Sequence, residues 1–384
     1  MRYTSKNLLP ILTNLALAMS TMKDSTCKVN PYDVIIVGGG LSGLVVARNL
    51  PEKRWKLLEA SERLGGRLQN DIVSDKIDLG GAWVWPQQRQ MSRLCTSLGI
   101  DFFTQPDDPS SLRIVGGAAN IIKKLVNELN ENAKDDESDS GRIETGAPVV
   151  ACRRESDSLV SVDLASGETL YAKNVVFACP PRLVHMHVQF HPSLSISKAR
   201  AMEFSQTWMA GVTKVALVYH KPRFWPLYES NGGFQPGYNR PAFQVYDATP
   251  HDESVSALTF FTLASLSNKE NDDAKLARDC AEQMSQSFST QTLREIPNIA
   301  QDILAYDEFY VQRWPQEKYI SEDADPRGIA PHPQPLFELA TSEWDGMLLF
   351  AGTESDQMSP GVMEGAVNAA LRVADEINRR LSNQ

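Results

Sequence analysis

YDVIIVGGGLSGLVVAR, residues Tyr32–Arg48, sets the architecture of the chain. Val34–Val37 is an unbroken β-branched run, the pattern of a strand buried on both faces. Gly38, Gly40 and Gly43 follow in G-x-G-x-x-G spacing, and Leu44–Asn49 has helical composition. Each glycine has a task. Gly38 turns the chain sharply out of the strand, Gly40 leaves bare backbone for a pyrophosphate, and Gly43 lets the helix lie close to the sheet. The helix start, at Leu41 and Ser42, offers free N–H groups and roughly half a positive charge, which suits a diphosphate. A second strand, Trp55–Leu58, ends in Glu59. That acid lies 59 − 38 = 21 residues beyond Gly38, where a carboxylate takes ribose hydroxyls. The alternative is an ordinary glycine-rich turn. The strand before it, the helix after it and the spaced acid favour a dinucleotide.

The 384 residues suggest two or so domains, and 42% hydrophobic residues allow a large core. The net charge of −10 argues against nucleic acid and anionic membrane surfaces as partners. Cys27, Cys95, Cys152, Cys179 and Cys280 are odd in number, widely spaced and form no C-x-x-C. They read as free thiols in a reducing, cytoplasmic setting. Residues 1–30 stand apart. Arg2 and Lys6 precede the apolar run Leu8–Met19, which ends near Ala16-Leu17-Ala18 like a signal peptide. Pro10, Thr13 and Asn14 interrupt that run, which favours a loose extension over export. It is too short to span a bilayer, and no later stretch suits a transmembrane anchor.

Four more motifs follow in order. They are Leu58-Glu59-Ala60, then Gly65-Gly66-Arg67, then Asp78-Leu79-Gly80-Gly81-Ala82-Trp83, and finally Asn174–Pro181 read as NVVFACPP. An arginine beside two glycines places a bidentate cation next to phosphates. Met209–Trp225, MAGVTKVALVYHKPRFW, carries Lys214 within the otherwise apolar run Val212–Tyr219. Near the end come Leu349–Glu354, LFAGTE, and Met363-Glu364-Gly365-Ala366-Val367. Together these resemble the flavin-containing amine oxidase family, over about residues 31–380.

The resemblance implies an α/β fold: a Rossmann-like FAD-binding domain of the GR2 type with a discontinuous α+β substrate domain. Residues 31–88, 112–190 and 342–384 would bind FAD, and 89–111 and 191–341 would form the substrate part. Patterning alone adds a hairpin, Leu159–Leu164 and Glu168–Tyr171 around Ala165-Ser166-Gly167, and a helix over Glu364–Arg379. Lys134–Gly141 reads as a solvated charged loop and Pro331–Pro335 as a rigid connector.

The activity implied is oxidation of a primary or secondary amine or an amino acid, with oxygen reduced to hydrogen peroxide. The partners are then a small-molecule substrate and oxygen, with a homodimer left open. A desaturase or isomerase acting on a carbon skeleton, and an FAD-binding module without turnover, are the alternatives. Lys214 matches the lysine that the family sets against the flavin, and Trp314 the tryptophan packed near it. Alternation along Val212–Tyr219 does not decide whether Lys214 faces the cofactor or solvent, and Trp314 reads equally as core. Glu354 would accept from the ribityl chain, and backbone near Val362 and Met363 would meet the ring. Gly81, Ala82 and Trp83 would lie at the flavin, and Val149 at the adenine. His185, His187 and His191 have no acidic or cysteine partner close in sequence, so no metal site is expected.

Three departures bear on the substrate. Asp101–Ile114 leaves 14 residues where the family inserts a helical block that roofs the cavity. The two positions of the family's tyrosine cage fall at Val362 and Ala324, neither aromatic. Trp83, Trp85, Tyr319 or Trp344 would have to supply substitutes. No cysteine lies near Ala324, which makes the FAD non-covalent.

Overall fold

β1 (Tyr32–Val37), α1 (Leu41–Arg48) and β2 (Trp55–Leu58) form a strand–helix–strand unit with parallel strands, Val34 opposite Trp55 and Val37 opposite Leu58. β1 feeds two cores. Val34 and Ile36 pack with α1 on one face, while Ile35 and Val37 join a second cluster on the other. That is the period-2 burial its β-branched run requires. The computed structural model describes residues 30–51, 53–71, 74–133, 142–235, 241–263, 272–291, 299–322, 325 and 331–382. Lys134–Gly141, Ala324 and residues 1–29 lie outside them. Tyr32–Gln384 is one unit, distinct from Met1–Pro31.

β3 (Trp83–Val84) precedes α2 (Arg89–Ser97), and β4 (Phe102–Gln105) and β5 (Asp108–Ile114) complete a small antiparallel sheet, ordered β3-β5-β4. A hairpin thus fills the stretch in which the sequence leaves no room for a helical block. α3 (Ala119–Ala133) follows, then β6 (Ile143–Glu144), β7 (Val149–Ser156), β8 (Leu159–Leu164) and β9 (Thr169–Phe177). The segments Glu168–Tyr171 and Asn174–Phe177, read separately in the sequence, belong to one strand. Its first half pairs with β8, its second half with a late strand, and its other edge with β1.

α4 (Pro181–His187) and β10 (Gln189–His191) come next, then α5 (Ile196–Phe204). β11 (Val212–Tyr219), β12 (Ala242–Asp247) and β13 (Ser256–Leu263) lead to α6 (Asp273–Gln291), α7 (Ile299–Leu304) and β14 (Glu308–Arg313). These strands form a four-stranded antiparallel sheet ordered β12-β13-β11-β14. The chain then returns through α8 (Phe337–Ala340) and β15 (Leu348–Phe350) to α9 (Met363–Ser382). β15 joins the large sheet, ordered β10-β7-β8-β9-β1-β2-β6, by pairing with β9.

The last helix packs on the first. Val367, Ala370, Val373 and Ala374 share a buried cluster with Leu44 and Val45 of α1. Met91, Leu94 and Cys95 of α2 sit in the same cluster, although the sequence assigns that stretch to the substrate part. The cause is Glu364, whose carboxylate accepts from the N–H groups of Gln90 (3.0 Å) and Met91 (2.7 Å) and so caps α2. Among the described residues, no helix is long and apolar enough to cross a membrane, and no His, Cys, Asp and Glu group could hold a metal ion.

Candidate functional site

The glycines open a cleft of about 490 Å³ at the C-terminal ends of β1 and β2. Their roles divide as the spacing requires. A Cβ on Gly43 would stand 1.9 Å from the Gly38 carbonyl oxygen, so the helix cannot approach with any side chain there. A Cβ on Gly40 would meet nothing closer than 3.9 Å, so packing does not explain that glycine. The bare surface at Gly40 borders the cleft, as close approach of a ligand demands. No side chain caps α1, and the N–H groups of its first turn have no intrahelical acceptors.

Glu59 closes the end of β2. One oxygen accepts from Gly39 N–H (2.6 Å) and the other from Ser61 N–H and Oγ (both 2.8 Å). The carboxylate is thereby held beside the glycine turn. Arg67 reaches across the cleft to Glu354, with Nη1 at 2.7 Å and Nη2 at 3.3 Å from its two oxygens. Glu354 is 2% exposed and Arg67 26%, so the pair anchors a guanidinium that still borders open space. Ser42 Oγ donates to the Ala351 carbonyl, joining α1 to the residue after β15.

Gly38, Gly40, Leu41, Ser42, Glu59, Ala60, Gly66, Arg67, Gly81, Ala82, Trp83, Val149, Val362 and Met363 all line this cleft, together with Lys214 and Trp314. Gly43 and Glu354 stand behind it and support its wall. The trench runs from Val149 past the bare glycines to Lys214. It fits a dinucleotide carrying a ring system: unencumbered backbone at the middle, a carboxylate held beside it, and an aromatic end.

Lys214 lies on the face of β11 shared with Val212 and Ala216, opposite Phe261 of β13. All eight residues of β11 are buried, so the solvent-facing reading of Lys214 is overturned. Its Nζ donates to the carbonyl oxygens of Gly80 (2.5 Å) and Asp78 (3.4 Å) and to the Tyr246 hydroxyl (3.3 Å). The rings of Phe261, Tyr246 and Trp83 surround it at 4.8, 5.5 and 5.8 Å. Burial pulls the ammonium down to about 7, Asp78 opposes that shift, and Arg113 adds to it. Asp78 itself is fully buried, and burial raises its carboxyl although Arg113 stands 3.5 Å away.

Trp314 donates through Nε1 to the Leu79 carbonyl (3.0 Å). It is both a core residue and part of the cleft wall, so the two readings of it were not exclusive. Trp83, Trp85 and Tyr319 also reach the cleft. Trp344 does not; it packs against Phe190 behind the large sheet, on a face set by the turn before β15. His185 and His187 fall on α4, and His191 on β10. His187 pairs with Glu322. Sequence reasoning missed Tyr246, Phe261, Asp78, Arg113 and Trp208 as members of the site. Strand register brings Tyr246 and Phe261 to Lys214, and chain crossing brings Arg113 to Asp78; Asp78 lies in the Asp-Leu-Gly-Gly-Ala-Trp motif, but nothing local marks the others.

The sequence profile of flavin containing amine oxidoreductases matches residues 41–120 and 107–378. The chain belongs to this family. FAD is the family's cofactor, and the trench described above fits it. The two matched stretches overlap at residues 107–120, on β5 and the start of α3. An L-amino acid dehydrogenase of Synechocystis is 42% identical over 89 residues, 22% of this chain and 19% of that protein. Amine oxidase [flavin-containing] A of Canis lupus familiaris is 20% identical over 94% of this chain and 87% of its own. That alignment extends over 487 positions, more than this chain possesses, so the relative carries long internal insertions. The structure of cyclohexylamine oxidase from Brevibacterium oxydans IH-35A superposes with a TM-score of 0.72 at 17% identity, covering 92% of this chain and all of that one. At that identity the likeness concerns the fold, and it shows the α/β architecture with its second sheet.

Proposed function

We propose that this flavoprotein oxidises an amine, with the cofactor held non-covalently and oxygen reduced to hydrogen peroxide. The observation that carries the reading is the buried Lys214 at the aromatic end of a trench lined with bare glycine backbone. Bound FAD would supply a two-electron acceptor there. The first turn of α1 and Arg67 would hold the diphosphate and Glu59 the adenosine ribose, while Glu354, behind the wall, holds Arg67 in place rather than the ribityl chain. The start of α9 at Met363 orients the ring. Val149 borders the adenine. The large sheet with α9 serves the cofactor, and the sheet bearing β11 serves the substrate.

Lys214 places, at the reacting end, a cation whose charge changes near neutral pH and which assists the oxygen step. The apolar walls disfavour a charged amine, so a substrate entering the cleft gives up its proton without a strong base in the wall. A panel of primary and secondary amines with peroxide detection tests the reading. Turnover of at least one amine with one peroxide per amine is expected, and anaerobic bleaching by a non-amine alone would overturn it. Acid precipitation should release all the flavin, because the sequence carries no cysteine near Ala324, where members that bond the flavin carry theirs; colour left in the pellet would refute non-covalent binding.

A further inference from the structure

Trp208 stands on the cleft wall between Thr207 and Met209, and both neighbours are tightly constrained. Met209 has φ +65°, in the left-handed region that a residue with a side chain rarely adopts. Such strain persists only where surrounding structure enforces it, and it gathers at functional positions. Thr207 donates its N–H to Asp325 Oδ1 (3.3 Å), and Arg182 Nη1 donates to that same oxygen (2.8 Å). The two charged side chains are 9% and 1% exposed. Arg182 Nε also bonds the Glu203 carbonyl (3.0 Å), and Glu322 N–H bonds Asp325 Oδ2 (3.0 Å). A buried ion pair therefore fixes the backbone on one side of Trp208, and a forced turn fixes it on the other.

The indole itself is only half-buried and belongs to none of the four buried clusters. Core packing does not account for it. Its ring lies 4.8 Å from that of His332, and a Cβ on Gly361 would come within 2.9 Å of Pro333 and 3.3 Å of Trp208 Cβ, both of which crowd that turn. Gly361, with φ +84°, is thus the residue that lets the segment before Val362 pass the tryptophan. Val362 also lines the cleft. Three cations along the cleft are already engaged, Arg67 by Glu354, Arg63 by Gly66 and Glu317, and Lys214 by Gly80, while Lys318 lies against the Tyr319 ring. What remains for a substrate body at Trp208 is an apolar, aromatic surface.

We propose that Trp208 is a specificity-determining residue that receives the apolar body of the substrate, and that the Arg182–Asp325 pair is the device that positions it. This rests on reading the Lys214 end as the reacting end. The test uses the full-length, flavin-loaded protein, with benzylamine and benzyl alcohol as probes under anaerobic conditions. Binding is read from the shift of the flavin absorption band for benzyl alcohol, and from the concentration dependence of the flavin bleaching rate for benzylamine, which reduces the flavin without oxygen. Trp208→Ala should weaken both probes about tenfold or more, and Trp208→Phe should stay within about threefold of wild type. Asp325→Asn should weaken both probes at unchanged flavin content, and its effect should vanish in a Trp208→Ala background. Wild-type affinity in Trp208→Ala, or no binding of either probe to the wild type, would overturn the proposal. If Asp325→Asn does not fold, the two Trp208 variants decide. Should benzyl alcohol bind and depend on Trp208 while no amine reduces the flavin, the amine-oxidation reading fails and this one stands.

Discussion

Along the trench from Gly38 to Arg67, much of what faces the cleft is backbone, stripped bare by Gly38, Gly40, Gly65 and Gly66. At the Lys214 end it is side chains, supplied by β3, β11, β13 and the turn after β14. The first region is local in sequence, and the second is assembled across more than two hundred residues. Backbone sites are specified by what a residue lacks, so glycine spacing reveals them. Side-chain sites are specified by register and packing, which no short motif encodes.

The comparison breaks first at Gly43. In Gly43→Ala the new methyl would stand 1.9 Å from a backbone oxygen that has nowhere to go, so α1 must move off the sheet. Complete loss of bound flavin is expected, read as the absorbance ratio of purified protein. A yellow variant with full flavin content would refute the backbone account of the trench. Next comes Arg67→Ala, which leaves Glu354 buried and unpaired. A hydrogen bond to a charged group is worth about 1.5–3 kcal/mol, so losing the cation at the diphosphate should lower flavin affinity about tenfold to a hundredfold. Titration of the flavin-free protein measures it.

A smaller effect sharpens the contrast at the other end. Lys214→Met should leave flavin binding intact and slow the oxygen step by about tenfold, roughly 1.4 kcal/mol. In the wild type that step should slow as pH rises through about 7, where the ammonium loses its charge, and the variant should show no such inflection. Stability carries the matching sign. The folded lysine titrates near 7 and the unfolded one near 10.5, so unfolding takes up a proton between those values. Wild-type stability should therefore rise with pH across that window relative to Lys214→Met, as followed by urea denaturation. Stopped-flow traces independent of pH in both proteins would remove Lys214 from the oxygen step.

The same division explains what the sequence disclosed. β2 was legible to the residue, β1 to within two residues and α1 to within three, because burial on both faces and glycine geometry act within a few residues. The burial of Lys214 was not. Alternation places Val212, Lys214 and Ala216 on one face, but only the register against Phe261 and the crossing of Gly80 decide what covers that face. Trp344 misled for a related reason. A tryptophan in a loop carries no sign of which side of the sheet it will join, and the left-handed turn at Trp344 and Asp345 directs it to the far core. Trp208 was invisible because its anchor, Asp325, lies more than a hundred residues away.

β9 carries one further consequence. Its second half stays unpaired on one edge until Leu348–Phe350 arrives, and α1 lacks its covering helix until Met363–Ser382 has been made. A ribosome making this chain thus exposes a sticky strand edge and an apolar helix for most of the synthesis time. The cleft is therefore complete only once Leu348–Phe350 has joined β9, made about 170 residues earlier, and Met363–Ser382 has joined α1, made about three hundred residues earlier.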